Sequence, residues 1–152
     1  MPAARAPRKP YRTLEQGAFI NVQRAADALS RGVEEALKPT GLSFTQYNIL
    51  RILRGAGPDG LACGEVAGRM MTRDPDITRL LDRLEARRLV SRSRERRDRR
   101  VVKSRITEQG LSLLEGLDHP VAETHRRQLG HLGERRLRSL ILLLELARRR
   151  KG

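Results

Sequence analysis

Apolar positions fall into helical steps almost from the start of the chain. Leu14, Ala18, Val22, Ala25, Leu29, Val33 and Ala36 recur at intervals of four and three, which lays one stripe along a helix from Leu14 to Leu37. Lys38-Pro39-Thr40-Gly41 ends it, because proline disfavours helical geometry in the residue before it and glycine admits a turn. Ser43-Phe44-Thr45-Gln46 has capping-box spacing, so a second helix starts there, turns Tyr47, Leu50 and Leu53 inward and stops in the turn-rich run 55–60. A short helix over 64–71 follows, with Val66, Ala67 and Met70 on its apolar side. Asp74 then reads as an N-cap and Pro75 as the first residue of a fourth helix. Its inward face is Ile77, Leu80, Leu81 and Leu84, which leaves Thr78, Arg79, Asp82, Arg83 and Ala86 on the sides and back.

After Leu89 the period shortens to near-alternation. Residues 89–94 and 101–106 read as two strands joined by a charged tip over 95–100, with Val102, Ser104 and Ile106 facing in and Val101, Lys103 and Arg105 facing out. Thr107-Glu108-Gln109-Gly110 opens another helix, with Leu111, Leu114, Leu117 and Val121 as its stripe and Pro120 expected to kink or interrupt it. A last helix over about 133–149 carries Leu137, Leu140, Ile141 and Leu144, and also Leu142, Leu143 and Leu146. Apolar groups on more than one face of a helix in so charged a chain call for a second burial surface. The expected fold is mainly α with a small β-hairpin wing.

Composition sharpens this picture. At 152 residues the chain suits one compact core, and Lys plus Arg number 32 against 18 Asp plus Glu, a formal net charge of +14 that points to a polyanionic partner, nucleic acid first. Residues 1–10 hold Pro2, Pro7 and Pro10 with Arg5, Arg8 and Lys9 and no apolar stretch of signal type, which predicts a flexible basic arm. The longest aliphatic run, 140–144, is far short of the roughly 20 residues that span a bilayer. A soluble, cytoplasmic chain with no membrane partner is therefore expected. The single Cys63 excludes an intrachain disulfide.

The order of parts carries the functional reading. Two short helices with a tight connection, the second polar on its outer face and followed at once by a basic hairpin, make a winged helix-turn-helix. Arg79 and Arg83, four apart, share one flank of the second helix, and arginine pairs bidentately with guanine in the major groove. Arg94, Arg96, Arg97, Arg99 and Arg100 crowd the hairpin tip with only Glu95 and Asp98 against them, a composition suited to a narrow minor groove.

The runs Leu42-Ser43-Phe44-Thr45-Gln46-Tyr47-Asn48-Ile49-Leu50 and Ile77-Thr78-Arg79-Leu80-Leu81-Asp82-Arg83-Leu84-Glu85, with the wing block Asp98-Arg99-Arg100 leading through a strand into Ile106-Thr107-Glu108-Gln109-Gly110, resemble the MarR family of multiple antibiotic resistance regulators. The likeness runs from about Leu14 to the C-terminus. It implies a triangular homodimer with interlocked first, fifth and sixth helices, two winged lobes on successive major grooves of a palindrome, and repression relieved by a small phenolic or lipophilic acid. It also implies that Arg100 enters the minor groove and that Asp98 orients it. Three positions depart from the family pattern: Arg88 stands where glycine is usual, Ala62 and Cys63 stand where a hydroxyl residue often caps the third helix, and Lys103 replaces an apolar strand residue.

The chain is accordingly expected to divide into a basic arm (1–12), a helical dimerisation region (13–40 and 108–152) and a winged helix-turn-helix lobe (41–107), with Leu29, Val33, Leu140 and Leu144 buried across or near the two-fold. The expected DNA contacts are Thr72, Arg73, Asp76, Thr78, Arg79 and Arg83 from the helix and its approach, and Arg96, Arg97, Asp98, Arg99 and Arg100 from the wing. Phe19, Tyr47 and Arg51 are the candidate effector contacts.

Other chemistry finds little support. The six-residue spacing of His119, His125 and His131 fails the helical ligand pattern, so no metal is expected. No phosphate loop, catalytic triad or paired carboxylates can be found, so neither an enzyme nor a cofactor is expected. Cys63 reads as a small buried apolar residue, with a redox sensor as the alternative. Two rival functions stay open: a constitutive architectural DNA-binding protein without an effector site, and an adaptor whose wing binds acidic proteins. A cavity at Phe19, Tyr47 and Arg51 would favour the sensor; a filled space would favour the architectural protein.

Overall fold

The computed structural model describes residues 11–149, so the basic arm over 1–10 and residues 150–152 lie outside the described residues. The element order is α1 (Leu14–Leu37), α2 (Phe44–Ala56), β1 (Leu61–Ala62), α3 (Cys63–Arg69), α4 (Ile77–Ala86), β2 (Val90–Arg94), β3 (Val102–Ile106), α5 (Glu108–Leu129) and α6 (Gly133–Arg148). Single 3-10 turns at Lys38–Thr40, Gly57–Asp59 and Gly130–Leu132 join three of the helix ends.

Local capping sets most boundaries. Thr13 accepts from the Gln16 amide at the start of α1, and Ser43 and Gln46 form the expected reciprocal box at the start of α2. The start of α4 differs from the sequence expectation. Asp74 does not cap the helix; its carboxylate accepts from the Asp76 amide at 2.8 Å in a tight turn, and Asp76 becomes the N-cap by accepting from the Arg79 amide at 3.2 Å. Pro75 therefore sits in the turn and Ile77 opens the helix. Helix α3 begins at Cys63 rather than Gly64, with no side-chain cap from Ala62; only the Glu65 carboxylate reaches back, to the Ala62 amide at 3.1 Å.

The wing is a three-stranded antiparallel sheet in the order β1-β3-β2, with Val90 opposite Ile106 and Arg94 opposite Val102. The core lies beneath it: Leu37, Ile49, Leu50, Leu53, Val66, Leu81, Leu84 and Leu114 are fully buried, with Ile77, Leu117 and Val121 around them. Several expected inward positions face out. Ala67 and Leu111 are exposed, and Val102, on the same face as buried Ser104, lies beyond the edge of the core near the wing tip. Pro120 does not interrupt α5; Pro120 and Gly116 are both on the solvent side, so the Gly116 carbonyl that loses its helical donor is open to water.

Helix α1 packs along α5, whereas α6 buries no residue. Leu140, Ile141, Leu142, Leu143, Leu144 and Leu146 are between 37% and 63% exposed, and Leu14, Phe19 and Val22 on α1 are exposed as well. Val33, by contrast, is buried within its own chain rather than held over for a two-fold.

Helix α4 ends in a Schellman arrangement: the Arg88 amide donates to the Glu85 carbonyl at 2.9 Å and the Leu89 amide to the Leu84 carbonyl at 3.0 Å. This geometry puts its pivot residue in the left-handed region, and that residue is Arg88, at φ 61°. Arg88→Gly is expected to raise unfolding stability by about 1 kcal/mol, since an L side chain is disfavoured there by that order; equilibrium urea unfolding of the two proteins checks it.

Candidate nucleic-acid interface

The outer flank of α4 presents Thr78, Arg79 and Arg83, all exposed. Among the described residues neither arginine has an ion-pair partner on its own helix, although Asp82 and Glu85 lie within reach in sequence. The reason is Arg92 on β2. Its Nη2 donates to Asp82 at 2.5 Å and to Glu85 at 3.0 Å, so one guanidinium neutralises both acids of α4 and ties the root of the wing to that helix. The Glu85 hydrogen bond and then Asp82 raise the Arg92 pKa further above its ordinary value, against the effect of burial. Sequence reading missed Arg92, because the pair joins two elements ten and seven residues apart and only the hairpin geometry brings them together.

The approach to α4 carries Thr72 and Arg73, both exposed. Asp76, also placed by sequence among the DNA contacts, uses its carboxylate to cap α4 and fix the Arg79 backbone. Thr78 lies against the third helix, with its Oγ1 3.6 Å from Cys63 Sγ.

Between Ile77 and Ile106 the sequence holds twelve cations against four acids, so thirty residues carry a net of eight positive charges. The acids in the wing order the cations. Glu95 lies 3.7 Å from Lys103 and 3.6 Å from Arg105, on the strands. Asp98 accepts from the Arg100 amide at 3.1 Å and from its guanidinium at 3.1 and 3.2 Å, holding a side chain that is 91% exposed. Arg94 donates to the Arg99 carbonyl at 2.7 Å, which closes the tip. Arg96, Arg97 and Arg99 are exposed and belong to no ion pair among the described residues. The tip therefore projects four guanidiniums, with only Arg100 tethered.

A cavity of about 220 Å³ opens where α1, α2 and α5 meet. Leu29, Ser30 and Val33 of α1, Phe44, Tyr47 and Arg51 of α2, His125 and Leu129 of α5, and Met71 of the α3–α4 connection line it. Tyr47 and Arg51 thus meet as expected, with the guanidinium carbon 5.9 Å from the centre of the Tyr47 ring. Burial raises the Tyr47 phenol above its ordinary pKa, with Arg51 opposing. Phe19 is not part of this wall: nearly three turns nearer the N-terminus of α1 than Leu29, it is 65% exposed on the helix surface. Met71 and His125 are lining residues that sequence reading missed, since neither lies in a pattern that marks it.

Comparison with known proteins places this geometry. A family model described as the MarR family matches residues 40–101. A MarR transcription factor from Planctomyces limnophilus, of known crystal structure, is 44% identical, with 90% of this chain and 99% of that one covered and a TM-score of 0.69. The chain belongs to the MarR family. The HTH-type transcriptional regulator MhqR of Bacillus subtilis is 29% identical over 103 residues, 66% of this chain and 70% of that protein. CouR from Rhodococcus jostii, crystallised bound to p-coumaroyl-CoA, is 28% identical, with 89% and 94% covered and a TM-score of 0.75. This MarR-family chain is a transcriptional regulator, not an enzyme. No helix among its described residues is long and apolar enough to cross a membrane.

The bonds from Arg100 hold the Asp98 carboxyl below its ordinary pKa, first through the side chain and then through the backbone. A depressed carboxylate contributes its brace fully above the ordinary carboxylate range and loses it as pH falls through the lowered value. An NMR titration is expected to find Asp98 below that range in this protein and back within it in Arg100→Ala. An unchanged titration would show that the brace is absent in solution.

Proposed function

We propose that this regulator is a homodimeric, cytoplasmic repressor that binds a palindromic double-stranded operator sequence-specifically and is released by a small phenolic or lipophilic acid. The observation that carries the reading is the pairing of every acid between Ile77 and Ile106 with a cation, which leaves Arg79, Arg83, Arg96, Arg97 and Arg99 as uncompensated charge on α4 and the wing. A helix fits the major groove and arginine fits the narrowed minor groove beside it. Thr72, Arg73 and Thr78 join Arg79 and Arg83 at the bases and nearby phosphates, while Asp76 and Asp98 act by placing arginines. The exposed aliphatic groups of α6 and the first half of α1 support a second copy as the missing partner, with 13–40 and 108–152 as the dimerisation region and 41–107 as the lobe. A two-fold protein then reads two half-sites about one helical turn apart.

The open cavity favours a sensor over a constitutive architectural protein. Its size suits a single ring, since a cavity of about 150 Å³ accepts benzene. Arg51 at its wall suits a carboxylate or thioester oxygen, and the phenolic acyl group of the ligand held by CouR has that chemistry.

Selection of duplexes from random sequence provides the operator on which these roles are tested. Arg83→Ala is expected to cost about 1–3 kcal/mol on the selected duplex and little on random DNA. Arg100→Ala should weaken both and lower the slope of log affinity against log salt by about 1. Identical behaviour of the two variants would refute this division. For the cavity, p-coumarate and p-coumaroyl-CoA are titrated into the protein–operator complex. Displacement is expected, and Arg51→Ala should require about ten-fold more ligand, the worth of one hydrogen bond to a charged group. Retention of DNA at saturating concentrations of both would favour the architectural reading.

A further inference from the structure

We propose that Asn48 is a positioning residue for DNA binding, which fixes the path of the α3–α4 connection through the backbone of Met71. Asn48 stands on α2 between Tyr47 and Ile49 and is only 5% exposed. Its Oδ1 accepts from the Met71 amide at 2.8 Å. Among the described residues this is the only hydrogen bond that joins residues 71–75 to an element other than the helix they lead into. The next two residues of α2, Ile49 and Leu50, are fully buried, so this helix is anchored in the core where Asn48 leaves it.

The consequence follows from chain order. Thr72 and Arg73 come directly after Met71, and three residues later Asp76 caps α4 and sets the Arg79 backbone. Without its acceptor the part-buried Met71 amide must turn to another partner, and the backbone that carries it shifts to reach one. Movement of Met71 therefore displaces Thr72 and Arg73 and slackens the entry to α4. The Met71 side chain also lines the cavity, so the residue pinned by Asn48 touches both whatever fills that space and the segment that faces DNA. Asn48 itself touches no DNA. The inference rests on the proposed DNA-contact role of the connection, and its test separates the two.

Two measurements decide it. In the unsubstituted protein, NMR hydrogen exchange should find the Met71 amide at least about ten-fold slower than those of Thr72 and Arg73, as one retained hydrogen bond requires. Equal rates would overturn the proposal whether or not any variant folds. On the selected operator, Asn48→Leu, which keeps the volume and removes the acceptor, should bind about ten-fold more weakly, and Asn48→Asp, which keeps an acceptor oxygen, should bind within about three-fold of the original. The Asn48→Leu effect should shrink in an Arg73→Ala background and persist in full beside Arg100→Ala, because only the former shares its segment. Full affinity in Asn48→Leu, equal losses in both Asn48 variants, or additivity with Arg73→Ala would each overturn it. A normal affinity of Arg73→Ala alone would instead strike at the DNA-contact reading of the connection and leave the exchange rates to decide the pin.

Discussion

The backbone of Leu89 is held from two sides, and the arrangement of α4, the wing and α5 depends on that grip. Its amide donates to the Leu84 carbonyl and its carbonyl accepts from the Thr107 amide at 3.1 Å. The Thr107 hydroxyl in turn donates to the Arg88 carbonyl at 2.7 Å and accepts from the Gly110 amide at 3.1 Å. One threonine thus closes the end of α4 and opens α5. Gly110 is required here: a Cβ at that position would stand 2.5 Å from the Leu89 carbonyl oxygen and 2.6 Å from the Ile106 side chain. The left-handed Arg88 is the strained member of the same joint. Arg92, four residues beyond Arg88, adds a second tie between β2 and α4, so the helix and the wing are joined at two points.

That rigidity explains why the electrostatics of the lobe have direction. A net of eight charges in thirty residues repels itself, and folding tolerates it because the cations without a carboxylate partner lie at the surface, in water. Four carboxylates do not neutralise the set. Two of them anchor Arg92 and thereby leave Arg79 and Arg83 without local partners; another braces Arg100. Removing free acids from the surface matters as much as adding arginines to it, since a carboxylate facing phosphate would offset a guanidinium beside it.

The parts of this protein that were legible in sequence are those fixed by local chemistry. The stripe of α1, the capping box of α2 and the alternation of the wing strands all depend on neighbours within a few residues, whereas the left-handed position of Arg88 is marked by the family resemblance. Where two local solutions competed, the pattern could not choose. Asp74 and Asp76 are both good caps, and the turn between them decides that the second one serves the helix. Positions at the edge of the core, such as Ala67, Val102 and Leu111, match the period but find nothing above them to pack against. Arg92 and Met71 act across elements, which periodicity does not record. Phe19, a candidate effector contact with Tyr47 and Arg51, is separated from them by the course of α1, which periodicity does not record either.

The exposed surface of α1 and α6 is what gives the cavity leverage in the proposed dimer. Burying one leucine fully is worth about 1.5–3 kcal/mol, so six half-exposed aliphatic groups on α6 form a large but incomplete driving force for association. Leu14, Phe19 and Val22, between 45% and 88% exposed, extend it along α1. A second copy covering both helices would hold α1 and α6 as a fixed base while each lobe stayed attached through α5 and the α1–α2 turn. The cavity lies in that joint, with walls from α1 and α5 on the base side and from α2 and Met71 on the lobe side. In the proposed sensor a ring inserted there would push on both at once. In a two-fold assembly the same push acts on the second lobe in the opposite sense, so a small rotation changes the separation of the two α4 helices twice over. A duplex of fixed helical repeat would then lose its match at both half-sites together, which is how the proposed sensor would turn an opening of this modest size into release of DNA.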